Sequence, residues 1–242
     1  VARGAGPSAG GGPDAGPPLD PARVPRTAER AGELVARVLP GPDAFGPGIR
    51  PDRPYESEPD RWPVLDRWCD WRSAPLPRDV LATRTRTFRV PGGPGRAEAR
   101  LTATVTVHPD ALDSAWEIAR SMEEVMRCPD QQLREGRRLT SLFTSVLDYG
   151  EQAGDWAQDA FSETGQYHDG TGGPYPYTWS QGRYGPVTVA VAALGARGVP
   201  REALAPYVAQ GQARMLHRAQ LALGRAGSGR ERAEYAPDRE GA

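Results

Sequence analysis

The chain of 242 residues contains two cysteines, Cys69 and Cys128, and whether they are joined constrains the fold more than any other feature of the sequence. A bond between them would tie the segment LDRWCDWRSAP (65–75) to the middle of the chain and close a long loop, contributing about 4 kcal/mol in the chain-entropy picture. Such bonds persist in oxidising compartments outside the cytoplasm. Two other readings stand beside this one: a pair of buried free thiols, or a cysteine serving as nucleophile or metal ligand. Zinc needs three or four ligands at workable spacing, whereas His108, His168 and His217 are dispersed and no C-x-x-C or H-E-x-x-H occurs. A cysteine nucleophile needs an activating base, and no local motif supplies one. We read the pair as a disulfide and expect neither a metal nor a cofactor.

Composition narrows the partners. A formal net charge of -1 leaves no basic footprint for a nucleic-acid backbone, so no nucleic-acid partner is expected. No apolar run reaches the ~18 residues of a membrane-spanning helix. Lys and Asn are absent, every basic residue apart from the three His is Arg, and Ile occurs only at Ile49 and Ile118. That is the mark of GC-rich codons, so an Arg here often means no more than a basic residue.

Residues 1–20 are mostly Gly, Pro, Ala and Ser, too poor in apolar surface to offset the entropy of ordering them, and read as a flexible tether. Residues 225–242 read as a disordered tail. Between them, 21–60 read as a helix followed by a proline-rich connection, and 61–224 as the compact domain. The helix spans 25–39, with Ala28, Ala31, Leu34, Val35 and Val38 on one face and Pro40 and Gly41 as its stop.

The segments 80–90 and 99–109 read as a β-hairpin across the turn-rich PGGPGRAE. In the second, Leu101, Ala103, Val105 and Val107 alternate with Thr102, Thr104, Thr106 and His108, giving one packed and one polar face. Asp110 then caps a helix running to about Arg127, whose apolar stripe we take as Leu112, Ala115, Trp116, Ala119, Met122 and Met126. Residues 138–148 suit a helix by spacing and a strand by content; the sequence leaves both open, with a lean to strand. DWAQDAFSE (155–163) reads as a short strand, and 175–194 as two strands about a Gly-centred turn, the second carrying Val187, Val189 and Val191. A long final helix from Pro200 repeats Leu204, Tyr207, Val208, Gly211, Met215, Ala219 and Ala222. The fold class expected is α+β: an antiparallel β-sheet with helices packed on one face, a long C-terminal helix and one disulfide.

Candidate ligand-binding residues are the aromatic and basic side chains on the segments flanking the sheet: Trp68 and Trp71 beside Cys69, then Tyr175, Tyr177, Trp179, Arg183 and Tyr184. Aromatics on loops can line a carbohydrate or peptide groove, or lid a core edge. YHDGTGG (167–173) carries too few ligands for calcium or a nucleotide and reads as a loop. Arg137 with Arg138 reads as solvated surface, as do Glu123 and Glu124, which are adjacent on a helix and point apart.

The order of tether, early Cys, strand pair, helix ending in Cys, weak strands, WSQGRYGPVTVAVA and long terminal helix resembles the extracytoplasmic sensor-type domains of actinobacterial lipoproteins and the ectodomain of PknH-type serine/threonine kinases. The likeness covers about residues 65–224, and its most local element is Arg183 and Gly185 before Val187, Val189 and Val191. That ectodomain has two disulfides, whereas this chain has cysteines for one. The resemblance implies a non-enzymatic domain on the outer face of the cytoplasmic membrane, held by an N-terminal lipid or transmembrane anchor outside this sequence. Its partners would be a cell-wall ligand or a membrane signalling protein such as a sensor kinase. The alternative is a small secreted hydrolase with a Ser/His/Asp site, using His108 or His168 with Asp169.

Overall fold

The structure is a computed structural model that describes residues 17–146, 157 and 159–225; the tether and tail readings fall almost wholly outside these residues. Among them are three α-helices, α1 (Ala28–Val38), α2 (Ala111–Arg127) and α3 (Arg201–Leu223). The strands are β1 (Arg50–Glu56), β2 (Arg61–Leu65), β3 (Trp71–Pro75), β4 (Ala82–Val90), β5 (Ala99–Val107), β6 (Gln131–Arg134), β7 (Arg137–Val146), β8 (Asp159–His168), β9 (Tyr175–Tyr184) and β10 (Val187–Leu194). Eight of them form one curled antiparallel sheet in the order β1-β4-β5-β10-β9-β8-β7-β6, and β2 and β3 form a separate two-stranded ribbon. The α+β class, the long terminal helix and the disulfide are as expected.

One face of the sheet carries the main core. Phe88 of β4, Leu101, Ala103, Val105 and Val107 of β5, and Val187, Val189 and Val191 of β10 pack against Leu34, Val35 and Val38 of α1 and Leu204, Val208, Met215 and Ala219 of α3. Burying each such side chain contributes roughly 1.5–3 kcal/mol, which makes this layer the main source of stability. Helix and sheet touch closely at Gly211, where a Cβ would meet the Phe45 ring at 2.6 Å and Val191 at 3.1 Å. The final strand pair lies at the middle of the sheet rather than at a rim: β10 runs between β5 and β9, its register holding Val189 opposite both Val105 and Gly182.

Three expectations change. The compact domain does not begin at residue 61, because α1 contributes to the same core and residues 50–56, taken as part of an irregular connection, form edge strand β1. Asp52 fastens that strand: its buried carboxylate accepts from Arg89 at 2.7 Å and pairs with Arg100 at 2.6 Å. Packing on one face holds for α1 and α3, whereas α2 lies across the opposite face. Its inward residues are Ser114, Glu117, Ile118, Ser121, Glu124 and Val125, while Leu112, Trp116 and Met126 of the expected stripe are 65%, 58% and 76% exposed. The reason is the surface α2 meets. That face of the sheet presents threonines, so the matching side of the helix is polar and hydrophobicity alone picks the wrong one.

Residues 137–146 are a strand, β7, which pairs with β8 around a bulge between Thr140 and Phe143. The fold then leaves a curled sheet with one face filled by α1 and α3 and the other only partly covered.

Candidate functional site

The partly covered face forms a cleft of about 970 Å³ between the sheet, α2 and the β2–β3 ribbon. Its floor is built by strand alternation. Thr83 and Thr85 of β4, Thr102, Thr104 and Thr106 of β5, Ala190 and Ala192 of β10, Tyr177, Trp179 and Gln181 of β9 and Glu163 of β8 all turn their side chains this way. Cross-strand hydroxyl pairs, Thr83 with Thr106 at 2.9 Å and Thr85 with Thr104 at 2.8 Å, satisfy these four threonines among themselves.

The ribbon roofs the cleft as a strap held at both ends. At its base, Thr85 N donates to Ser57 Oγ and Ser57 N to Thr85 O. At its tip, Cys69 is bonded to Cys128, with Cα atoms 5.6 Å apart. Neighbouring contacts reinforce the tip: Arg127 donates to Asp66 O, Gln132 N to Cys69 O, and Trp71 Nε1 to Gln131 Oε1 at 2.8 Å. The disulfide expected from sequence is therefore present, and it fixes the strap to the C-terminal end of α2.

Two carboxylate centres face inward from opposite walls. On α2, Glu117 Oε2 lies 2.6 Å from His108 Nε2 and accepts from Thr188 Oγ1, while its Oε1 accepts from Gln181 Nε2 at 2.8 Å. His108 is fully buried, and its Nδ1 meets Asp79 O at 2.6 Å. On β8, Glu163 is 5% exposed and receives the Tyr177 hydroxyl; burial pushes its carboxyl up to about 7, with the nearby Glu124 charge acting in the same direction and the tyrosine against it. Burial also raises Glu124, partly offset by the charges of Arg127 and Arg120. Tyr177 is held well above the usual phenol range by burial and by Glu163. Gln181 is 3% exposed, and with its Nε2 committed to Glu117 its Oε1 has no partner among the described residues.

The structure brings together some of the residues singled out from sequence and scatters others. Trp71, Tyr177 and Trp179 line the cleft. Tyr175 packs in a neighbouring apolar cluster with Val125 and Leu139. Trp68 is 70% exposed outside the cleft, under the guanidinium of Arg67. Arg183 pairs with Asp159 at the sheet rim, and Tyr184 is buried on the helix-covered face, its hydroxyl donating to Pro17 O. Glu124, read as surface charge, faces the cleft, whereas Glu123 is exposed as expected.

The groups named for a hydrolase do not converge. Asp169 accepts from Thr171 and Gly172 of its own turn, His168 meets Thr140 Oγ1, and the hydroxyl of Thr188 donates to Glu117 rather than to His108. Sequence reasoning missed Glu117, Glu163 and Gln181. A signal existed for Glu163: in FSETGQY, residues 161, 163, 165 and 167 share one strand face, and a lone acid sits among Phe, Gly and Tyr.

No protein-family model matches the chain, and no curated protein matches it. Among the described residues no helix is long and apolar enough to cross a membrane, and no cluster of His, Cys, Asp or Glu could hold a metal ion. A disulfide fits a compartment outside the cytoplasm.

Proposed function

We propose that this protein is a ligand-binding domain of the cell envelope, of the sensor or lipoprotein type, whose cleft takes a small envelope molecule and relays its presence to a membrane signalling partner. One observation carries the reading: a cleft of about 970 Å³ with aromatic and aliphatic walls and a few polar groups directed inward, the form and size of small-molecule sites, roughly 300–1,000 Å³. The disulfide supports placement outside the cytoplasm. Attachment to the outer face of the cytoplasmic membrane by an N-terminal anchor is part of the proposal and rests on the resemblance of layout.

The test is native mass spectrometry of the folded protein after incubation with an envelope extract of the producing cell, beside the variant A190W, which fills the floor of the cleft. A bound species on the parent protein that is lost from A190W supports the reading. The same adduct on both places binding elsewhere and overturns it.

A second reading, a secreted hydrolase, draws on Glu163 alone, since a buried carboxyl titrating near neutrality is suited to general acid–base work. Turnover of an envelope glycan or ester that disappears in E163Q would support it.

A further inference from the structure

We infer that the cleft is built for an amphipathic organic cation, whose N–H-bearing head meets Glu163, Glu124 and Gln181 Oε1 while its apolar body lies along Trp179, Ala190 and Ala192. The inference rests on the cleft being a ligand site and names the class of ligand.

The polar groups of the cleft are unbalanced. Several of its donors are already engaged. Arg120 donates to Asp79 at 2.9 Å, Arg61 to Ser73, and Arg72 to Asp66 and Asp70. The Trp71 indole is held by Gln131, and Thr83 pairs with Thr106 and Thr85 with Thr104. The acids and one buried acceptor are less well matched. Gln181 Oε1 is buried with no partner among the described residues, a costly state unless a donor arrives. Glu163 and Glu124 both line the cleft, the Glu124 charge opposes the ionisation of Glu163, and among the described residues no guanidinium is hydrogen-bonded to Glu163.

A ligand bringing N–H donors and positive charge satisfies all three acceptors together. An anion would add like charge beside the two acids, and a ligand without donors would leave Gln181 Oε1 as it is. Trp179 adds to the match. It stands directly opposite Glu163 in the β8–β9 register, placing an aromatic ring next to the carboxyl, where a cation can meet both.

Isothermal titration of the full chain with octylammonium, octanol and octanoate at about pH 8 tests this, all three sharing the same alkyl body. The expected result is octylammonium binding at least about tenfold more tightly than either of the others, the advantage falling by about the same factor in E163Q and in E124Q, with octanol unchanged. The preference should shrink near pH 6. There Glu163, facing Tyr177 from β9 and Glu124 from α2, takes up a proton, and Glu124 is opposed in turn by Glu117 and Glu123 and favoured by Arg120 and Arg127. Equal binding of the three, or preference for octanoate, overturns the cation while leaving the cleft as a ligand site. Binding of none, or binding undiminished in A190W, overturns the ligand-site reading and the cation with it.

Discussion

His108 Nε2 lies 2.6 Å from Glu117 Oε2, within hydrogen-bond distance. The other ring nitrogen must carry a hydrogen, because it faces a backbone carbonyl, Asp79 O, which only accepts. Glu117 also gathers Gln181 and Thr188, so the contact ties α2 to β5, β9 and β10 at once. Removing one partner strands the rest in a buried setting. H108A should lower unfolding free energy by about 3 kcal/mol, and the double variant H108A/E117A should lose clearly less than the sum of the singles. Urea denaturation of the four proteins is the check, and additive losses would show that the two residues are not coupled.

Glu163 makes stability depend on pH in the direction opposite to most acids. Its folded value is raised from 4.5 to about 7, so the folded state holds a proton that the unfolded state has released. Its contribution is fully present below about 4.5 and is lost as pH rises through about 7, a change of about 3 kcal/mol. E163Q should abolish this slope and be the more stable protein at about pH 8. The acid limb runs the other way: Glu56, held below the usual carboxylate range by hydrogen bonds from Arg86 and Arg84, loses its contribution as pH falls. Melting curves of parent and E163Q across the pH range would decide, parallel curves counting against the buried acid.

The Cys69–Cys128 bond closes a loop with a sequence separation of 59. C69A/C128A should cost about 4 kcal/mol of stability through the freed unfolded chain. In hydrogen exchange the strap, residues 61–75, should lose protection before the sheet does. Intact mass after alkylation checks the bond itself: two added groups after reduction and none before it.

Gly211 sets two effects against each other. Ala is favoured over Gly in a helix by about 1 kcal/mol, but here the new methyl would meet the Phe45 ring at 2.6 Å inside the core. Overpacking of this kind costs typically 1–3 kcal/mol, so G211A should be destabilising on balance. A raised melting temperature for G211A would show that α3 and the sheet can part without cost.

How much of this was legible in the sequence depended on what each element packs against. α1, β4, β5, β10 and α3 face an ordinary apolar core, so the period of their hydrophobic residues matches their burial. α2 faces a floor of threonines, and its inward side carries Ser114, Glu117, Ser121 and Glu124. A rule that seeks the apolar side of a helix therefore selects the exposed one. The same logic hid the cleft. Trp71, Tyr177 and Trp179 could be singled out as large aromatics near turns, whereas Glu117 and Glu163 gain their character from residues distant in the chain: Glu117 from Gln181 and Thr188, 64 and 71 positions away, and Glu163 from Trp179 opposite it and from Tyr177. The disulfide was legible because two cysteines admit one pairing.

Where the described chain enters the domain is also where it leaves. Leu19 bridges Gly224, Asp20 N donates to Leu223 O, and Arg225 N donates to Pro18 O, with Leu19 packed against the helix-covered core. Any pull applied through either flanking segment would be met first by this seam of a few backbone hydrogen bonds, in unzipping geometry. The sheet that floors the cleft would carry none of that load until the seam had opened.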